Sequence, residues 1–221
     1  MSTLILIRHG QSQWNLENRF TGWTDVPLTP QGEKDAVACG KSLSEFRFDL
    51  AFTSRLQRAN KTLENVLKTL KQNPPVTYDS ALNERHYGDL QGLNKAETAA
   101  RYGQDQVKLW RRSFATRPPN GESIEDCIRR TNPFFIQYIE PHLKEGKTVI
   151  IAAHGNSLRP IMRYLENLDD TETAEREIGL CTPYIYYFEE GKVVKKEVKE
   201  VPGIITKGSS TTEARVGQRK V

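Results

Sequence analysis

Two stretches of this chain run from apolar residues directly into His-Gly. One is LILIRHGQSQWN, Leu4 to Asn15, and the other is VIIAAHGNSLR, Val149 to Arg159. A residue closing a buried strand is ordinarily apolar, so His9 and His154 stand out. A neutral imidazole nitrogen is a fair nucleophile toward phosphorus. It needs the other ring nitrogen to donate to a fixed acceptor, which sets the tautomer. The glycine after each histidine permits a sharp turn and close approach of a ligand. It also leaves main-chain N–H groups facing the crevice, a setting suited to an anion. Arg8 adds a fixed positive charge beside His9, and a guanidinium matches phosphate oxygens two at a time. Such a cationic wall would stabilise a phosphoryl group in transfer. The competing reading is a pair of hydrogen-bonded structural histidines.

Phosphoryl transfer also needs a proton carrier for the substrate oxygen. Glu84, in LNERHYGDLQGLNKAE, is the best candidate, because a carboxyl held beside negative charge favours its acidic form. The alternative is a surface pair between Glu84 and Arg85, and spacing does not choose between them. His142 reads as a solvated residue near a helix end, and His86 as a residue that orients its neighbours. No carboxylate cluster accompanies either His-Gly, as an Mg²⁺ site would require. His9 and His154 have no Cys or His at zinc spacing. No Walker loop or G-x-G-x-x-G occurs. Arginines are therefore expected to do the neutralising, without a metal.

The 221 residues suit one large domain or two small ones. The hydrophobic share of 37% is enough for a core, and the charged share of 27% gives a solvated surface, which excludes a disordered chain. No apolar run approaches the roughly 20 residues that span a bilayer. LILI is too short for a signal peptide and Arg8 follows it. Cys39, Cys127 and Cys181 are odd in number and widely spaced, so neither a disulfide framework nor a metal site is expected, and a cytoplasmic location is. The net charge of +4 agrees with a pocket for an anion but does not demonstrate one.

The elements that must hold these residues follow from periodicity. TLILI is a buried strand. LTPQGEKDAVACGKSLSEF is a helix with Thr29 as cap, Pro30 at its first position and Glu33 at its positive end. FDLAFTS is a strand. SRLQRANKTLENVLKTLK is a helix with an apolar stripe of Leu56, Ala59, Leu63, Val66 and Leu70, stopped by Asn73-Pro74-Pro75. VTYDSAL reads as a short strand, and residues 83–120 as an excursion with one or two short helices. Asn120-Gly121 is a turn, and ESIEDCIRRTNPFFIQYIEPHL is a helix that Pro133 should kink or split. KTVIIAA is a strand, and NSLRPIMRYLENL a helix with Pro160 near its first turn. YIYYF and KVVKKEV form an edge hairpin. The segment 202–221 reads as a mobile tail. Alternating strands and helices predict an α/β fold with a mostly parallel sheet covered by helices on both faces. Ligands then bind beyond the carboxyl ends of the strands, where His9 and His154 sit.

RHGQSQWN, FTGWTDVPLTPQG, TSRLQRA, LNERHYGDLQGLNKAE, WRR and HGNSLR together resemble the cofactor-dependent phosphoglycerate mutases of the histidine phosphatase superfamily. The likeness runs from Thr3 to about Phe188. RHG marks only the superfamily, whereas the ERHYG-x-LQGLNK block with the later Arg pair is specific to the mutases. The resemblance implies that His9 is phosphorylated, that Arg8, Arg58 and His154 complete the phosphate pocket, and that Glu84 donates and accepts the proton. It implies that Asn15, Thr21, Gly22, Tyr87, Lys95, Arg111, Arg112, Gly155 and Asn156 line the substrate site. It implies a 1–201 catalytic domain that interconverts 3- and 2-phosphoglycerate in glycolysis and gluconeogenesis, primed by 2,3-bisphosphoglycerate, with no metal and no nucleic-acid or membrane partner. Two departures stand out. Many members carry Glu at the position of Gln11, which is not catalytic. The segment between Arg112 and Gly121 is short, so a homo-oligomer is implied but the family's commoner arrangement of it is not carried over.

Two other functions compete. A phosphatase on the same scaffold would pass the phosphoryl group from His9 to water. Tyr87, Lys95, Arg111 and Arg112 favour the mutase, because extra cations keep a bisphosphorylated intermediate bound. An inactive basic binding module would need a Lys/Arg stripe with exposed aromatics, but the basic residues here are interleaved with acids.

Overall fold

The computed structural model describes residues 1–204. Among them a single sheet has the strand order β3-β2-β4-β1-β5-β6. The strands are β1 (Ser2–Arg8), β2 (Leu50–Thr53), β3 (Val76–Tyr78), β4 (Thr148–Ala153), β5 (Pro183–Glu189) and β6 (Lys192–Val198). β1, β4, β2 and β3 run parallel, while β5 pairs antiparallel with β1 and forms the edge hairpin with β6. The α/β sheet is thus mostly parallel, as the sequence predicts.

Side chains alternate across a strand, and here each side of β1 and β4 meets its own helical layer. Leu4, Leu6, Val149 and Ile151 pack with Phe135, Ile139, Leu158, Ile161 and Met162. Ile5, Ile7, Ile150 and Ala152 pack with Ala36, Cys39, Leu63, Val66 and Leu67. The second layer consists of α2 (Pro30–Ser42) and α3 (Gln57–Leu70). In α2 the Thr29 side chain accepts from Gly32 N with Pro30 in the first turn, as expected. The first layer holds α6 (Ile124–Phe134) and α8 (Gly155–Glu166). The excursion carries α4 (Lys95–Tyr102) and α5 (Gln104–Arg112).

Some details differ from the sequence reading. The helix expected to kink or split at Pro133 is interrupted just after it: α6 ends at Phe134, a π-helical turn spans Phe135–Ile139, and α7 (Glu140–Lys144) follows. Pro141 has no N–H to continue the regular ladder, and a wider turn accommodates such a gap. Pro160 lies inside α8 rather than near its first turn, because the helix already begins at Gly155 with His154 as N-cap. Two short helices, α1 (Gln13–Leu16) and α9 (Asp170–Glu175), escape periodicity because each is too brief to show an apolar face. Both are set by capping boxes, from Ser12 and Asn15 and from Asp169 and Glu172. Of the expected tail, Ile204 packs against the α2–α3 layer, and residues 205–221 lie outside the described residues.

Candidate active site

β1 and β4 are adjacent and in register, Arg8 opposite Ala153, and His9 N donates to Ala153 O at 3.0 Å. This ladder places the two His-Gly steps side by side. The imidazoles of His9 and His154 lie with centroids 5.0 Å apart. Both residues are buried.

The His9 ring is oriented by its own neighbour, with Nδ1 2.7 Å from Gly10 O. A carbonyl only accepts, so Nδ1 carries the hydrogen and the Nε2 lone pair is left free. Gly10 is itself fixed, because its N–H donates to Thr62 Oγ1 at 3.0 Å. A Cβ on Gly10 would lie 2.4 Å from Gly32 O, so the backbone of α2 closes tightly behind the histidine. Burial, then the charges of Arg58 and Arg8, hold the His9 pKa well below the usual histidine value. His154 is displaced the same way, by burial, Arg58, His9 and Arg8. Both rings are therefore neutral at pH 7. His154 Nε2 lies 2.8 Å from Ser54 Oγ, which already accepts from Leu56 N. The Ser54 hydroxyl is thus free to donate to Nε2. In the tautomer where that hydroxyl donates, the hydrogen of His154 sits on Nδ1, which is buried without a partner in the protein.

The cations crowd around this pair. Arg58 is buried on α3 and donates to Gly22 O at 2.8 Å and Thr24 O at 3.1 Å. Gly22 has φ +58°, and a side chain there would run into Gln91. Arg8 donates through Nη1 to Ile178 O at 2.9 Å. The Nε atoms of Arg8 and Arg58 are buried without partners, so each has a donor to spare. Burial lowers the Arg58 guanidinium to about 10, with Arg8 adding to the effect. A Cβ on Gly155 would stand 3.6 Å from Arg159 Nη1 and 3.8 Å from Arg8 Cζ, so this glycine keeps open the space beside two guanidinium groups.

Glu84 stands beside Asn156, in the first turn of α8. Its Oε1 accepts from Arg85 N at 2.8 Å and Asn156 N at 3.0 Å. Burial favours its protonated form, but the Arg85 N–H, the charges of Arg8 and Arg58 and the Asn156 N–H outweigh this, and its pKa falls below the usual value. Arg85 is no surface partner for it. The Arg85 side chain is fully buried, donates to Trp110 O and Arg111 O at the end of α5, and stacks 4.6 Å from the Tyr87 ring.

The remaining candidates are held by partners of their own. Asn156 donates to the Tyr87 hydroxyl at 3.4 Å, and Tyr87 packs on Phe20. Lys95, at the start of α4, has its pKa lowered by burial and influenced by Tyr87, Arg111, Arg8 and Glu84, which places its ammonium within the field of the pocket. Arg111 and Arg112 close α5; Arg112 pairs with the exposed Glu177 at 3.4 Å. Thr21 is buried next to Gly22. Asn15 is occupied locally, its side-chain oxygen accepting from Ser12 N and Oγ. Gln11 accepts from the Thr29 hydroxyl, a structural use.

Sequence reasoning missed Arg159. It is buried, donates to Asn156 Oδ1 at 2.7 Å, and is lowered to about 10 by burial and the charge of Arg112. Its spacing puts it one helical turn beyond Gly155 and Asn156 on the same face of α8, but spacing alone does not tell whether that face meets water or the site. His86 accepts from Gly88 N through Nδ1, which matches an orienting role, and His142 pairs with Glu145 in the last turn of α7. Among the described residues no group of three or more His, Cys, Asp or Glu could hold a metal ion. No helix among them is long and apolar enough to cross a membrane.

The arrangement thus offers a nucleophile with a set tautomer, a second imidazole beside it, spare cationic donors and a carboxyl within one buried cluster. The comparisons with known proteins agree with that chemistry. Residues 4–200 match the model of the histidine phosphatase superfamily (branch 1). A 2,3-bisphosphoglycerate-dependent phosphoglycerate mutase 2 from Gloeobacter violaceus is 51% identical over 84% of this chain and 85% of its own length. A 2,3-bisphosphoglycerate-dependent phosphoglycerate mutase from Bartonella tribocorum is 47% identical over 90% of this chain and 98% of its own. Among solved structures, Bacillus stearothermophilus YhfR superposes with a TM-score of 0.78 at 28% identity, covering 93% of this chain and 98% of that one. The chain belongs to the histidine phosphatase superfamily, branch 1, and within it to the 2,3-bisphosphoglycerate-dependent phosphoglycerate mutases.

Proposed function

We propose that this protein interconverts 3-phosphoglycerate and 2-phosphoglycerate, the glycolytic and gluconeogenic step, through a phosphorylated His9. The observation that carries the reading is the His9 Nδ1 contact with Gly10 O, which leaves Nε2 as a free lone pair inside a cationic pocket. The curated relatives' names support the substrate and the priming bisphosphate. The unpartnered donors Arg8 Nε, Arg58 Nε and His154 Nδ1 fit a phosphoryl group well. When bound, 2,3-bisphosphoglycerate supplies the phosphoryl group that primes His9.

His9 Nε2 forms the N–P bond while the P–O ester bond breaks. Arg8, Arg58 and the His154 N–H hold the phosphoryl oxygens and take up their developing charge. Glu84 supplies a proton to the departing oxygen and takes one from the attacking hydroxyl in the reverse step. Its ionised state is set chiefly by its N–H donors and by Arg8 and Arg58. A dianionic phosphoryl group offsets those charges and returns the carboxyl toward its protonated form. Lys95, Arg111, Arg112 and Arg159 hold the carboxylate and distal phosphate, with Tyr87 and Asn156 between the two ends. Asn15, Thr21, Gly22 and Gly155 line the same cavity. The reaction runs without a metal, the arginines taking its neutralising role, and the protein works in the cytoplasm on small anionic substrates.

The test is a side-by-side assay. The protein is incubated with 2,3-bisphosphoglycerate and 3-phosphoglycerate, and 2-phosphoglycerate and free phosphate are both measured. Predominant 2-phosphoglycerate supports the mutase; predominant free phosphate identifies a phosphatase on the same scaffold.

A further inference from the structure

Glu84 is held through its main chain by a device outside the cavity. Arg130, on α6, forms a bidentate ion pair with Glu122, Nε to Oε1 at 2.9 Å and Nη2 to Oε2 at 3.0 Å. The same guanidinium donates to Glu84 O at 3.0 Å and to Ala81 O at 2.9 Å. Glu122 grips the next part of that loop, its Oε2 accepting from His86 N at 2.8 Å and its N–H donating to His86 O at 2.8 Å. Trp23 Nε1 also donates to Glu84 O, at 2.5 Å. Loop carbonyls and amides on both sides of the Glu84 Cα are therefore tied to one half-buried charged pair. The short segment before Glu122 brings it there directly, since Asp89 N donates to Pro119 O and Gly88, at φ +56°, leaves no room for a Cβ against that carbonyl.

We propose that the Arg130–Glu122 pair positions Glu84 as proton carrier. This rests on the role of Glu84 proposed above. Neither Arg130 nor Glu122 touches the reacting atoms; both act through the Glu84–His86 backbone. A planar guanidinium with several donors is required, because one group must meet a carboxylate and two carbonyls at once. A displacement of about 1 Å in a catalytic group costs on the order of a hundredfold in rate, and the tether prevents it.

The reaction itself supplies a readout that mere loss of packing would not give. In phosphorylation of His9 the P–O bond electrons go to the leaving oxygen. A glycerate alkoxide is strongly basic and needs the Glu84 proton, whereas 4-nitrophenolate is weakly basic and leaves without one. Formation of phospho-His9 is measured in single turnovers, with 2,3-bisphosphoglycerate and with 4-nitrophenyl phosphate as donors, for Arg130→Gln, Arg130→Lys, Glu122→Gln and Glu84→Gln. The expected result for Arg130→Gln is a loss of about ten- to a hundredfold with bisphosphoglycerate, and less than about threefold with the aryl phosphate. Arg130→Lys should restore little of it, since an ammonium cannot reach all three acceptors. Glu122→Gln should show the same donor dependence at smaller size, and it serves if Arg130→Gln does not fold. In the Glu84→Gln background, Arg130→Gln should cost nothing further with bisphosphoglycerate. Equal losses with both donors, additive losses in the double variant, or no loss in either single variant would overturn the proposal. If Glu84→Gln alone leaves the bisphosphoglycerate rate unchanged, the error lies in the role of Glu84.

Discussion

His9 and His154 face each other with ring centroids 5.0 Å apart, at the carboxyl ends of adjacent parallel strands. Neither ring carries a charge at neutral pH, because burial and the arginines around them favour the neutral form. A pocket for an anion has thus been built from permanent guanidinium charges, while the imidazoles are kept as a nucleophile and a hydrogen-bond donor.

This has a pH consequence with a definite sign. Both folded pKa values lie below the ordinary 6.5, so under acid conditions the unfolded chain binds protons first. Stability is therefore full above pH 6.5 and falls as the pH drops toward the folded values, by up to about 1.4 kcal/mol per pH unit for each histidine. Denaturant midpoints at pH 7, 6 and 5 should decline, and His9→Asn and His154→Asn should each flatten the decline. A midpoint that is unchanged over this range would contradict neutral buried imidazoles.

Arg159→Gln should raise KM for phosphoglycerate about ten- to a hundredfold, the loss of a charge-assisted contact worth about 1.5–3 kcal/mol. Its bond to Asn156 would also be weakened. An unchanged KM accompanied by a lowered melting temperature would assign Arg159 to the packing of α8 alone.

Arg111→Ala and Arg112→Ala should lower mutase turnover and raise the ratio of free phosphate to 2-phosphoglycerate. His9 phosphorylation at high bisphosphate concentration should survive, since Arg8, Arg58 and His154 are untouched. Arg112 already has a weak, exposed partner in Glu177, and such surface pairs are worth about 0–1 kcal/mol. An unchanged product ratio and KM in both variants would place these arginines on a solvated helix face.

A chelator should leave turnover unchanged, and vanadate should inhibit by imitating the phosphoryl group in transfer. Loss of activity with the chelator, recovered with Mg²⁺, would contradict the neutralising role given to the arginines.

How far the sequence foretold this site depended on the kind of signal. His9 and His154 were legible because a polar residue ending an apolar strand violates the pattern, and parallel strands put such ends together. Thr29 and Pro30 marked the start of α2 through local chemistry. Arg159 and Arg130 were not legible in the same way. On a helix, an arginine at the right spacing looks the same whether it faces water or a cavity, and only the packing of α8 and α6 decides. Spacing left open a surface pair between Arg85 and Glu84, and the structure decides against it: Arg85 is fully buried beneath the end of α5. That burial depends on where the excursion folds back, and residues 83–120 carry little periodicity.

The central claim is that His9 Nε2 carries the phosphoryl group. The most direct measurement is incorporation of label from radiolabelled 2,3-bisphosphoglycerate into the intact protein and into His9→Ala. A phosphorus–nitrogen bond to imidazole predicts label that is lost in acid, retained in base, and absent from His9→Ala. Label that persists in His9→Ala, or that resists acid, would contradict the account.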